Sequence, residues 1–522
     1  MSTRTTYKLK CLSVMEVVES SSNFEDTIKP SDEFLQVFKL TRSCKDQSNF
    51  KKQMRTIEIK MDKLFLKVIN SQDTKFEDII TLAYSCHHLC FAYIKSDQTK
   101  KLSAAKDSIL RCLHFIKDKE VDPKIILLTL KAYNLLSHIY QKQQKLENAI
   151  EALDKAIDLY LIYMEEHSKY DIPIDYEDII IKPSEQINGY IKLKCLYMHI
   201  LQTSTDIHLK MKSKANESFM LSRHLLLIEK LNCLLTTEEY VQWIEKATTV
   251  CNYLIMGNRF AEAKNYLEKL YFIQKALHAK YFDTLEKGLP SQTSMLLNQS
   301  AFTFKLVISC YVRNNITLFY QSVKRLLRLE TNQHSEADNS IIKELKSVGR
   351  ASRRLLIFYP DMKENFDNTY HATRFAYILK YNEALKQFID IVRIIYNSKL
   401  HLNFVGDVKL CIRCRLYISN AYKYMAFYEK DTATQFLLRK GGAETLEEVA
   451  NVLGDRNDCK LLRLLWLQLS IAYSTLIDMK LDDIEASYLP YLPQSYFALE
   501  IDEINILVAK SSIFLQKYMC SK

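Results

Sequence analysis

Residues Ala132–Tyr160 read AYNLLSHIYQKQQKLENAIEALDKAIDLY. Tyr133, Leu136 and Tyr140 recur at helical spacing and form one apolar stripe. Leu146, Ala149, Ile150, Leu153, Ala156 and Ile157 form a second. The polar run Gln141–Lys145 separates them, so the stretch predicts two helices joined by a short turn. Ser137, Ala149 and Ala156 are small where two antiparallel helices must approach closely. One such hairpin cannot bury both its faces, so neighbours must stack on it.

The same pattern recurs on either side. In Ala247–Leu270, Gly257 and Asn258 mark the turn, a pair suited to a left-handed helix cap. Phe260, Ala263, Leu267 and Leu270 form the second stripe there. Tyr84–Phe115 is a weaker copy with a longer turn, its second stripe being Leu102, Ala105, Ile109 and Cys112. Tyr417–Leu438 is another. At Tyr133, Leu136, Ser137, Tyr140, Ala149, Leu153 and Ala156 the spacing resembles the 34-residue tetratricopeptide (TPR) consensus, with Leu161 in place of its closing proline.

Composition agrees with helices throughout. Average usage of glycine and proline, about 7% and 5%, would give roughly 37 and 26 residues in a chain of this length. The 522 residues contain 8 of each, and no glycine precedes Gly189. Glycine-rich phosphate loops, dinucleotide fingerprints and hairpin-rich β-folds need more residues able to adopt positive φ. The expectation is an all-α fold: a TPR-like, right-handed α-solenoid of stacked helical hairpins in two halves joined by a long helix. The predicted organisation is a polar, partly disordered segment 1–50, an N-terminal array 51–290, a linking helix 291–327 and a C-terminal array 341–522. The linker rests on Ser291–Leu327, which runs without glycine or proline as one long helix or two abutting ones. Three irregular segments interrupt the helices: Met1–Asn49, His167–Glu185 and Glu330–Ser340.

Lys plus Arg is 72 against 62 Asp plus Glu, a net charge of +10 that is mild for this length and scattered along the chain. No nucleic-acid partner is expected from it. The thirteen cysteines are too few for a disulfide framework, and those at apolar helical positions, such as Cys112 and Cys310, read as reduced thiols. Met1–Lys10 lacks the apolar core of a signal peptide. The most apolar stretches, Ile125–Leu130 and Leu461–Tyr473, are shorter than the roughly 18 residues of a membrane span. No membrane insertion is expected.

Three motifs invite chemistry. Cys86-His87-His88-Leu89-Cys90 contains metal-ligating types, but helical spacing puts the two thiols on one face with His87 turned away. A second pair of ligands at suitable spacing is missing, and the reading is a helix burying two thiols. Cys411 and Cys414 form a lone C-x-x-C inside a helical pattern, where core thiols are expected rather than a redox pair. Lys440-Gly441-Gly442 could start a helix around an anion, and reads more simply as the cap of one helix and the start of the next. No catalytic constellation, cofactor site or metal site is expected, and the chain does not read as an enzyme. Glu165, Glu166, Asp171, Asp175, Glu177 and Asp178 place six carboxylates within fourteen residues. That acidic loop reads as a solvated surface loop or as a docking surface for a basic partner, the former being favoured.

Several blocks in order carry a family resemblance. They are KKLSAAKDSILRCLHFI (100–116), AYNLLSHIYQKQQKLENAIEALDKAIDLYLIYMEE (132–166), WIEKATTVCNYLIMGNRFAEAKNYL (243–267) and LYISNAYKYMAFYEKDTA (416–433). In them the chain resembles the KIF-binding protein family, kinesin-binding TPR proteins of animals, over residues 75–440. The resemblance implies a solenoid without catalysis. Such a protein grips kinesin motor domains in its groove and blocks their microtubule attachment. It thereby regulates microtubule-based transport and cytoskeleton organisation, axon outgrowth included, and microtubule-associated proteins are possible further partners. A cytoplasmic, cytoskeleton-associated protein is implied. The alternative is a general TPR scaffold subunit of a multiprotein complex. A clamp for chaperone tails would need Lys, Arg and Asn on consecutive first helices, and only Asn134 and Asn252 stand out.

In TPR arrays the first helix of each hairpin lines the groove. The groove candidates are therefore its polar positions between the core stripes. They are Asn134, His138 and Gln141; Thr203 and Asp206; and Glu245, Thr248, Thr249 and Asn252. Thr203 and Asp206 depart from the more aromatic and amide-like groove of the family.

Overall fold

The computed structural model describes residues 29–43, 50–70, 74–95, 101–165, 172–181, 188–211, 217–231, 237–287, 290–330, 377–398, 408–453, 460–486 and 494–520. Most of Met1–Asn49, nearly all of Glu330–Ser340, and the carboxylates Glu166 and Asp171 lie outside them. The described residues form seventeen helices and no strand. The chain divides into two compact units, Met1–Ser222 and Arg223–Lys522.

The first unit begins with α1 (Asp32–Ser43), α2 (Phe50–Asn70), α3 (Phe76–Lys95) and α4 (Leu102–Phe115). It continues with α5 (Ile126–Lys142), α6 (Leu146–Glu165), the short α7 (Tyr176–Ile181), α8 (Gly189–Lys210) and the first turns of α9 (Glu217–Leu231). The segment before residue 50, read above as irregular, contains α1, which buries Phe34, Val37, Phe38 and Thr41 at i, i+3, i+4 and i+7. The hairpins α3–α4 and α5–α6 form as predicted, and Ala105, Ile109, Cys112, Ala149, Leu153 and Ala156 are all buried. Helix α3 packs on α5 and α5 on α8, so the first helices of successive hairpins lie side by side. Tyr160 of α6 stacks on Tyr197 of α8 at 3.6 Å between ring centroids, joining the second layer to the first.

The second unit holds most of α9 and then α10 (Thr237–Met256), α11 (Phe260–Glu286), α12 (Pro290–Glu330) and α13 (Tyr381–Ser398). It ends with α14 (Val408–Ala426), α15 (Thr432–Leu453), α16 (Lys460–Ala486) and α17 (Gln494–Cys520). The pattern repeats: from α10 on, each helix packs on the next, and α10, α12, α14 and α16 also pack in series. Trp243 of α10 is buried, and its indole N–H donates to the Leu227 carbonyl of α9 at 2.9 Å.

Both predicted tight turns share one backbone device. Gln144 and Asn258 take left-handed φ of 61° and 57°. The following amides, Lys145 and Arg259, donate to the carbonyls of Tyr140 and Leu254 at 2.9 Å. These are Schellman closures, which satisfy carbonyls that the helix end leaves open.

One open alternative closes, and one expectation needs correction. Ser291–Leu327 is part of a single 41-residue helix, α12, and one stretch of it, within Ser294–Arg328, is long and apolar enough by composition to cross a membrane. In this fold it packs against α10, α11, α13 and α14. It buries the polar Thr303, Asn314, Asn315 and Ser322 together with Val307, Val312 and Phe319. That mixture belongs to a protein interior. Gly441 and Gly442 neither cap a helix nor start one around an anion, because α15 runs through them without a break. A Cβ on Gly442 would lie 3.2 Å from Tyr422 Cβ and 3.3 Å from the Ser419 carbonyl oxygen. The glycines let α15 approach α14 closely.

Candidate functional site

The nine groove candidates fall into both units. On α5, Asn134, His138 and Gln141 share one face, with His138 exposed and the others half-buried. Partial burial, then the Lys142 charge, holds the His138 imidazole below its ordinary value. On α8, Asp206 is exposed and accepts from Gln202 Nε2 at 2.9 Å, while half-buried Thr203 donates back to the His199 carbonyl at 2.8 Å. On α10, Glu245 and Thr249 are exposed. Thr249 donates to the Glu245 carbonyl at 3.0 Å. Thr248 is only 6% exposed and donates to the same carbonyl at 2.9 Å, so it is a core position and not a surface one. Half-buried Asn252 accepts from Arg313 Nη1 of α12 at 3.3 Å.

The acidic segment is built differently from an open loop. Glu165 is exposed at the end of α6. Asp175 is only 8% exposed and lies among three helices. Lys131 of α5 and Lys192 of α8 reach it at 3.1 and 3.0 Å, and Tyr84 of α3 donates its hydroxyl at 3.1 Å. Glu177 lies 3.4 Å from His88 of α3, 3.6 Å from Arg42 of α1 and 3.9 Å from Lys131. Asp178 pairs with Lys192. Burial alone would raise the Asp175 carboxyl, but Lys131 and Lys192 outweigh it and hold it below its ordinary value. For Glu177, burial is likewise outweighed, by the bond from His88 and the charges of His88 and Lys131. Tyr176 is buried, its ring stacked on Tyr84 at 6.3 Å. The Ile174 amide donates to the Pro123 carbonyl at 2.9 Å. Residues 172–181 thus lie across the first-helix layer α3–α5–α8, and three of the six carboxylates are spent inside the unit.

Of the basic and aromatic half of this network, sequence reasoning did not single out Arg42, Lys131 and Lys192, and it named Tyr84 and His88 only for other roles, in a helical hairpin and a metal-type motif. One signal existed: Lys131 stands at i−3 from Asn134 and i−7 from His138, on the same helical face.

The chemistry-bearing motifs resolve into packing, with Cys411 of the C-x-x-C pair half-buried. Cys86, Cys90, Cys112 and Cys414 are buried, and burial pushes the Cys86 thiol up to about 12. His87 is pushed down to about 3, by burial first and then by the His88 and Lys131 charges. Among the described residues no three His, Cys, Asp or Glu side chains are grouped to hold a metal ion.

A family model described as KIF-1 binding protein C terminal matches residues 241–521, more than half of the chain. This chain belongs to the KIF-1 binding protein family. It is similar to the KIF-binding protein of Drosophila melanogaster, 21% identical over 427 residues that cover 78% of this chain and 66% of that protein. The Danio rerio KIF-binding protein is 21% identical over 417 residues, covering 77% of this chain and 63% of its own. The Homo sapiens KIF-binding protein is 21% identical over 426 residues, covering 79% and 66%. The matches therefore span just under two thirds of the length of these relatives. The family model covers α11–α17 whole and all but the start of α10.

Proposed function

We propose that the chain binds kinesin motor domains through the polar faces of its first helices and keeps those motors off microtubules. Regulation of microtubule-based transport and cytoskeleton organisation, axon outgrowth included, would follow, in a cytoplasmic and cytoskeleton-associated setting. The observation that carries this reading is membership of the KIF-1 binding protein family, whose curated relatives bear the name KIF-binding protein. The fold supports it. Rows of parallel first helices offer a face on which a partner helix can lie, and His138, Asp206, Glu245 and Thr249 are exposed on such helices. The mechanism is occupancy: a motor helix held in the groove is unavailable to tubulin.

Microtubule co-pelleting of purified kinesin motor domains, with and without the protein, tests this. One or more motors should move to the supernatant in proportion to added protein, and the protein alone should not pellet. Charge reversal at Glu245 and Asp206 should weaken the effect at least several-fold, since both are exposed and their replacement leaves the fold intact. If no motor is displaced or bound across the panel, the protein is a scaffold subunit that shares the family fold and not this activity.

A further inference from the structure

Two neighbouring helices of the second unit carry a charge pattern that the motor reading does not use. Helix α12 contains Lys305, Arg313, Lys324, Arg325 and Arg328, with a single carboxylate, Glu330, at its last position. Helix α14 contains Lys409, Arg413, Arg415 and Lys423 and no carboxylate. The two pack together, and α12 also packs on α10, so three first helices lie in series.

Ring contacts set their register. Tyr320 of α12 and Tyr424 of α14 lie 5.7 Å apart. Arg313 and Tyr417 each stand seven residues earlier on their own helices, two turns back, which brings them level. Arg413 is one further turn along α14. Burial raises the Tyr417 phenol, and the charges of Arg313 and Arg413 oppose that rise.

Arg313 and Arg413 are both exposed. Among the described residues neither has a carboxylate within ion-pairing distance, whereas Arg415 on the same helix pairs with Glu448 at 2.9 Å. Arg313 instead donates to Asn252 Oδ1 on α10. That bond commits the amide oxygen and leaves the amide NH2 to donate. Asn252, Arg313 and Arg413 thus present donors, from three consecutive first helices, at one place. Two guanidiniums within about a helical turn of each other repel unless an anion sits between them, and the planar fork of each suits a carboxylate. Lys324 lies 4.6 Å over the Tyr320 ring and extends the positive strip along α12.

We propose that Asn252, Arg313, Arg413 and Tyr417, with Lys324 over Tyr320, form a docking surface for an acidic peptide segment of a partner protein. Its carboxylates are taken by the two guanidiniums and the Asn252 amide, and its apolar atoms lie on the tyrosines. A single chain-terminal carboxylate would need only the first three residues. The continuation to Lys324 fits a segment with several Asp or Glu side chains. The surface shares Asn252 of α10 with the face proposed for motors but is centred on α12 and α14, and its test uses no motor.

The test is fluorescence anisotropy of the full chain with a fluorescein-labelled, C-terminally amidated peptide of Asp, Glu and Ala. The same peptide with Asn and Gln serves as the neutral control. The acidic peptide should bind and the neutral one should not. Arg313→Gln and Arg413→Gln should each weaken binding roughly tenfold, and the double variant should lose it. Lys386→Gln on α13 should change nothing. Asn252→Ala, which leaves the charge untouched, should also weaken binding and serves if the double variant folds poorly. Equal affinity for acidic and neutral peptides, or full affinity in the double variant, overturns the proposal. So does tighter, equally arginine-dependent binding of a single-stranded RNA oligomer, which would make the face a phosphate-backbone surface. A dimer in sedimentation that Arg413→Glu dissolves would assign the face to a second copy and overturns it too.

Discussion

Asp175 is a buried carboxylate held by two lysines and a tyrosine hydroxyl, and its loss should be felt directly. Asp175→Asn leaves Lys131 and Lys192 facing each other without their shared counter-charge. Stability should fall by about 3 kcal/mol in chemical denaturation, the usual cost of removing one partner from a buried pair. The pH dependence follows from sign. Asp175 and Glu177 are both held below their ordinary carboxyl values in the folded chain. Their stabilisation is therefore complete above the unfolded carboxyl range of about 4 and is lost as pH falls through the lower folded values. Melting temperature should be flat from neutral pH down to that range and then drop, and Asp175→Asn should blunt the drop. Gly189 is a second sensitive residue: a Cβ there would lie 1.6 Å from the Pro173 carbonyl oxygen. Gly189→Ala should cost roughly 3 kcal/mol or more, because backbone and not a side-chain end must move. The carboxylate cluster was visible in the sequence, but its partners were not. Lys131 lies 44 positions before Asp175, and only the passage of residues 172–181 across α5 joins them. Arg313 and Asn252, 61 positions apart, meet only because α12 packs on α10.

Helices and turns were the most legible level. The 132–160 hairpin and the Gly257–Asn258 turn form where the apolar period and polar punctuation put them. The turns also give a graded prediction. Gln144 holds a left-handed φ without the short side chain that eases it. Gln144→Gly should stabilise by about 1 kcal/mol in a thermal melt, and Asn258→Gly by less, since asparagine tolerates that conformation. Legibility failed where a residue serves a neighbour instead of its own backbone. Gly441-Gly442 looked like a break because glycine usually punctuates, yet here it makes room for Tyr422. Gly442→Leu should therefore destabilise the α14–α15 pair, although leucine is the better helix former. Helix α1 was missed because its buried stripe is short and ends on the polar Thr41, against a polar background.

At the scale of the molecule, each compact unit contains hydrophobic clusters of its own. One runs from Phe34 to Tyr176, and others in the second unit centre on Phe319 and Trp466. Calorimetry should resolve two transitions, with Asp175→Asn lowering only one; a single transition shifted as a whole would mean the units unfold together. The stacked-hairpin architecture was readable from repeats and from scarce glycine and proline. The division at Ser222 was not, because it falls inside an uninterrupted helix with no punctuation to mark it.

The cationic pair α12 and α14 has one more consequence, in ionic strength. Nine basic side chains stand against one carboxylate on these two packed helices, and those that are neighbours within the Debye length of about 10 Å at 0.1 M salt repel. Added salt shields that repulsion and should raise the melting point of the second unit. In the first unit the exposed pairs Arg111–Asp62 and Lys67–Glu33 lose attraction under the same shielding. One salt titration should thus move the two halves of the melting curve in opposite directions, the cationic half upward.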